Sequence, residues 1–145
     1  MTRSKRLYRI AEHVDLDQEA AARELTRLRT YLQDQEAQLT RLREYCVSYH
    51  AQLAEAQARG GTAARLLNYS QFLARLNEAI RQQEQAVGLA SRAFDQQRQV
   101  WIQARARVKA VSKAAERVAR DEDKQAERLE QRQNDDLSLN RLFKR

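Results

Sequence analysis

Leu25-Thr-Arg-Leu28-Arg-Thr-Tyr-Leu32-Gln-Asp-Gln35-Glu-Ala-Gln-Leu39-Thr-Arg-Leu42-Arg-Glu-Tyr-Cys46, residues 25–46, is the stretch whose reading decides the fold. Its apolar residues recur at alternating steps of three and four, the 3.5-residue repeat of a coiled-coil seam. The same register extends back through Ala21, Gln18, Val14, Ala11 and Leu7, and forward through Tyr49, Leu53 and Ala56. A second register begins at Leu66 and runs through Tyr69, Leu73, Leu76, Ile80, Gln83, Val87, Ala90, Phe94, Gln97, Trp101, Ala104, Val108, Val111, Ala115 and Val118. Only Gln18, Gln35, Gln83 and Gln97 interrupt the two seams, and a polar seam residue fixes register by disfavouring slipped pairings.

Between the registers stands Arg59-Gly60-Gly61-Thr62, where glycine suits the left-handed end of one helix and Thr62 caps the next. A connection this short makes the helices antiparallel neighbours, so residues whose numbers sum to about 120 should face each other. That pairing puts Leu7 near Val111 to Lys113, Gln35 opposite Gln83 and Gln18 opposite Trp101. The expected fold is all-α: a long antiparallel two-helix coiled-coil hairpin forming one domain over residues 1–145. Its helices cover about 5–58 and about 63–135, with a turn at 59–62 and a basic tail at 136–145. Apolar periodicity fades after Val118, and Arg120 to Asp136 has only Ala126 and Leu129 as apolar residues, which leaves a solvated single helix or, as the favoured expectation, a frayed helix that orders on binding.

Composition agrees. The absence of proline, the three glycines and the abundance of Ala, Leu, Gln, Glu and Arg are those of long helices. No apolar run is long enough to span a bilayer, and the N-terminal stretch lacks the apolar core of a secretory signal, so a cytoplasmic protein is expected. One cysteine, Cys46, excludes an internal disulfide, and with only His13 and His50 beside it there is no zinc-site spacing. His50 follows Cys46 by one helical turn, but no third group orients it, and no phosphate-binding glycine loop or GK[ST] motif occurs. An enzyme is not expected, nor a metal or any other cofactor.

The net charge of +7 equals the seven basic residues of the two ends: Arg3, Lys5, Arg6 and Arg9, then Arg141, Lys144 and Arg145. On an antiparallel hairpin the first group would lie beside Arg105, Arg107, Lys109 and Lys113, with Glu12, Asp15, Asp17 and Glu19 offsetting part of the charge. Such a basic tip suits acidic loops of a protein, phosphate or anionic lipid. Only Tyr8 is interleaved with the N-terminal charges, which argues against nucleic acid. Two stripes use apolar residues beyond the seam: Phe72, Leu76, Ala79 and Gln83 on the second helix, and Gln38, Leu42, Tyr45 and Tyr49 on the first. Each is a candidate docking face, with Phe72 folding over the seam edge as the plainer alternative.

The block Asn68-Tyr69-Ser-Gln71-Phe72-Leu-Ala-Arg-Leu76-Asn-Glu-Ala79-Ile80, with its Asn-Tyr-x-x-Phe core, resembles the start of the second helix in the FliJ family of flagellar export proteins. Gln38, Leu39, Leu42, Tyr45, Tyr49, Trp101 and the charged ending near Asp136 sit where that family places similar residues. The resemblance implies a hairpin similar to the coiled coil of the rotary ATPase gamma subunit. It further implies a soluble component of the flagellar type III export apparatus, peripherally associated with the inner membrane at the flagellar base. The partners implied are the hexameric flagellar export ATPase, which the protein stimulates, the membrane export gate protein, and export substrate chaperones. The family's gate contact maps onto Phe72, Leu76, Ala79 and Gln83, with Gln83 in place of a histidine. By analogy with the gamma subunit, the ATPase-ring contact maps onto Arg3, Lys5, Arg6, Arg9, Arg105, Arg107 and Lys109. The alternatives are the equivalent rod of a virulence type III secretion system, which would lack the Asn-Tyr-x-x-Phe block, and a basic structural or nucleic-acid-binding coiled coil, which salt-sensitive DNA affinity would reveal.

Overall fold

The computed structural model describes residues 2–144; Met1 and Arg145, the last of the basic residues named above, lie outside the described residues. Two helices account for nearly all of it: α1, Arg3–Ala58, and α2, Ala63–Phe143. No strand occurs among the described residues. Contacts divide the chain into two compact units, a terminal unit of Met1–Ala21 with Trp101–Arg145 and a turn unit of Ala22–Val100.

The turn unit is built around the glycine pair. Gly60 has φ of 72°, its N–H donates to the Gln57 carbonyl at 3.2 Å, and the Gly61 N–H donates to the Ala56 carbonyl at 3.0 Å. This Schellman pair of bonds satisfies two of the carbonyls that α1 would otherwise leave open. Thr62 then starts α2: its hydroxyl accepts from the Arg65 N–H at 3.2 Å, and its carbonyl from the Leu66 N–H at 3.0 Å. Antiparallel pairing follows, and in this unit every seam residue predicted from the repeat is buried or half-buried. Leu39, Leu73 and Leu76 are buried, each contributing roughly 1.5 to 3 kcal/mol relative to exposure. Gln83 Nε2 donates to both the backbone oxygen and Oε1 of Gln35, at 2.9 and 3.0 Å, the cross-seam pair that the turn position implies.

In the terminal unit α1 begins with Thr2 as its cap. The Thr2 hydroxyl accepts from the Lys5 N–H at 3.3 Å. Glu122 of α2 supplies the rest, accepting from the Ser4 N–H at 3.2 Å and the Ser4 hydroxyl at 2.6 Å, with the Arg3 backbone also donating to it. Ser4, Ala21, Ala104 and Ala115 are buried here. Beyond Glu122 every described residue is exposed.

Two expectations need correction. The second helix does not end near 135 or fray from Arg120; it continues to Phe143. After Gly88 the sequence has neither glycine nor proline, and opposite charges at helical spacing, such as Lys124 with Glu127 and Arg132 with Asp135 and Asp136, favour the helical state. The Ser4–Glu122 contact joins residues whose numbers sum to 126, somewhat beyond the expected 120. Side chains lean toward the N-terminus of their own helix, so a long Glu reaches inward from a Cα farther out.

Candidate partner-binding surfaces

In the turn unit the off-seam Phe72 converges with two seam tyrosines. The rings of Tyr49 on α1 and Phe72 on α2 lie 4.3 Å apart at 37°. Tyr49, Phe72 and Tyr69, with Arg65 and Asn68, line a shallow hollow beside the turn. Phe72 keeps 37% of its surface exposed and Tyr45 58%, so the patch offers apolar area to a partner while Phe72 also covers the seam edge. The structure thus joins the two predicted stripes through one ring contact.

The members of those stripes have different surroundings. Phe72 is exposed and Ala79 half-buried, whereas Leu76 is buried in the seam and Gln83 is held by Gln35. On α1, Gln38 and Tyr45 are exposed, and Leu42 and Tyr49 are half-buried seam residues. The opposite edge of the pair is polar: Arg43 bridges Glu84 at 3.4 Å, and Cys46 lies 3.6 Å from the Asn77 side-chain oxygen. From its seam position the Cys46 thiol donates a weak hydrogen bond to that oxygen.

In the terminal unit Arg3, Lys5, Arg6, Arg9, Arg105, Arg107 and Lys109 are all exposed. Arg105 stands over the Trp101 ring at 5.4 Å. Hydrogen bonds from Ser4 hold the Glu122 carboxyl below its ordinary pKa, with the nearby Arg3 charge adding to the effect. Glu122 was missed in the sequence, because nothing local to residue 122 shows that it will meet a helix N-terminus 118 positions away.

No group of three His, Cys, Asp or Glu residues able to hold a metal ion occurs among the described residues, and no helix is long and apolar enough to cross a membrane. The family model described as the flagellar FliJ protein matches residues 3–145. The chain belongs to the flagellar FliJ protein family. No curated protein and no solved structure matches it.

Membership makes the chain a component of flagellar protein export. Within a FliJ chain the Asn68–Ile80 block now has a structural content. Tyr69, Leu73, Leu76 and Ile80 form the seam, and Asn68 and Phe72 present the hollow outside it. The FliJ family match includes the last turns of α2, where Leu137, Leu139, Leu142 and Phe143 are exposed. The signal for that apolar set was present in the sequence, as a return of leucines after a charged run, but it was absorbed into an expected basic tail.

Proposed function

We propose that the chain is a non-catalytic coupling protein that binds and stimulates the hexameric flagellar export ATPase, links it to the membrane export gate, and escorts export substrate chaperones. The observation that carries this is the family match over residues 3–145. The proposed ATPase contact is the exposed basic set of the terminal unit, Arg3, Lys5, Arg6 and Arg9 with Arg105, Arg107 and Lys109. Exposed basic side chains steer association with acidic loops and set register.

The proposed gate contact is the aromatic patch of the turn unit. Phe72 and Ala79 are its outward groups, while Leu76 and Gln83 act from beneath by holding the backbone that presents them. Tyr45 and Tyr49 with Gln38 and Leu42 extend it across α1. Through these two contacts the protein works in the cytoplasm at the inner face of the membrane, at the flagellar base, and couples nucleotide turnover to the gate.

The test is the turnover of the flagellar export ATPase with and without this chain, in the presence of double-stranded DNA as competitor. Stimulation that survives the DNA supports the reading. Loss of stimulation with capture of the chain by DNA would replace it with a basic nucleic-acid-binding coiled coil, whose affinity falls steeply with salt.

A further inference from the structure

The last two turns of α2 differ from everything before them. From Arg120 to Asp136 the helix is charged and polar, and the stretch from Leu137 to Lys144 has no acidic residue, two basic ones and four large apolar ones. Phe143 and Leu142, 85% and 72% exposed, are the most exposed large apolar side chains among the described residues, and Leu137 and Leu139 are more than half exposed. Helical spacing puts Leu139, Leu142 and Phe143 on one face and Leu137 with Arg141 and Lys144 on another. No ion pair engages Arg141 or Lys144 among the described residues, and nothing on α1 covers this segment.

We propose that these last two turns, Leu137 to Lys144, are a weak membrane-contacting tip that inserts its apolar side chains shallowly into an anionic lipid surface. The reading rests on the proposal that the chain works at the inner face of a membrane, and it assigns that contact to this chain's own residues.

Two features select lipid over a protein groove. A helix docked in a groove uses anchors at i, i+3, i+4 and i+7, and here the apolar stripe stops at Leu139 on its N-terminal side. Its continuation on the same face is Asp135 and Asp136, then Arg132 and Arg128. A bilayer needs no register and accepts apolar side chains on both faces of a tip, with long basic side chains reaching the headgroups beside them. Charge complementarity is local as well. Arg141 and Lys144 are drawn to an anionic surface, whereas Asp135 and Asp136 repel it and confine contact to the tip. One such signal gives reversible binding, which suits a protein that cycles between partners.

The experiment is sedimentation of the full-length chain with vesicles of phosphatidylcholine alone and of phosphatidylcholine mixed with phosphatidylglycerol, across a salt series. Binding is expected only with the anionic lipid and should weaken with salt. The Leu142→Ser, Phe143→Ser pair should lower it by at least about tenfold, since burial of both side chains is lost. Arg141→Gln and Lys144→Gln should each lower it by about fivefold. These positions are exposed, and circular dichroism checks that helicity is retained. Equal binding to neutral vesicles, or anionic binding that the serine pair leaves unchanged while Arg3→Gln, Lys5→Gln, Arg6→Gln abolishes it, overturns the proposal. So does an absence of vesicle binding when the serine pair instead loses stimulation of the ATPase, which would assign the segment to a protein. Stimulation that persists without any vesicle binding overturns this inference alone and leaves the coupling reading standing.

Discussion

Glu122 shows how one side chain fixes the start of a helix that begins more than a hundred residues earlier. The first N–H groups of a helix have no partner within it, and a carboxylate placed there meets both the open donors and the positive end of the helix dipole. Thr2 satisfies Lys5, while Glu122 takes Arg3 and Ser4. Because the folded pKa of Glu122 is lowered, its contribution is present above the ordinary carboxylate pKa and is lost as pH falls through the lowered value. Amide exchange at Arg3 to Lys5, taken relative to the intrinsic rate at each pH, is therefore expected to accelerate on acidification through the carboxylate range. Ser4→Ala and Glu122→Gln should accelerate it at neutral pH as well, and in Glu122→Gln the acid-dependent part should disappear. An exchange rate indifferent to both substitutions would mean that the basic first turns are held by something other than this contact.

At the scale of the element, two features hold the antiparallel pair in register. Gly60 needs a left-handed φ, so Gly60→Ala is expected to lower stability by about 1 to 2 kcal/mol in thermal or denaturant unfolding. The Gln35–Gln83 pair is different. Gln83→Ala leaves the Gln35 amide oxygen without its donor and should cost about 1 kcal/mol. Replacing both glutamines with leucine is instead expected to raise the melting temperature while permitting slipped or oligomeric pairings, which sedimentation would detect. The length of the first helix, the turn and the seam were legible in the sequence because each rests on local spacing. Every predicted seam position from Leu7 to Val118 is at least half-buried. The Ser4–Glu122 contact was not legible, since a long side chain reaches in from a Cα farther along its own helix, and the helical state of residues 136–143 was hidden by reading basic charge as tail. Of the candidate gate residues, the sequence spacing gathered all four on one stripe. The seam register already held Leu76 and Gln83 and left Phe72 outside, and the structure keeps that division.

On the scale of the whole molecule, the two compact units carry unlike surfaces, and this makes the proposed coupling separable. The aromatic patch around Phe72 belongs to the turn unit, and the exposed arginines and lysines proposed for the ATPase belong to the terminal unit. Sites without shared partners behave additively. Phe72→Asp places a charge in an apolar contact and should weaken binding to the isolated gate protein by about tenfold or more, as loss of a central aromatic does. Stimulation of the ATPase by the same variant should stay within about twofold of the parent. Reversing Arg3, Lys5 and Arg6 to glutamate should do the opposite, removing stimulation and its salt dependence while gate affinity holds. Arg3, Lys5 and Arg6 are exposed, so the unfolding transition of that variant should remain close to the parent's; Phe72→Asp also loses the Tyr49 ring contact, and retained helicity at the assay temperature is its control. If either variant alone removed both activities with its fold intact, one surface would be serving both partners, and a chain that couples two machines through two contacts would have to give way to one that exchanges them at a single contact.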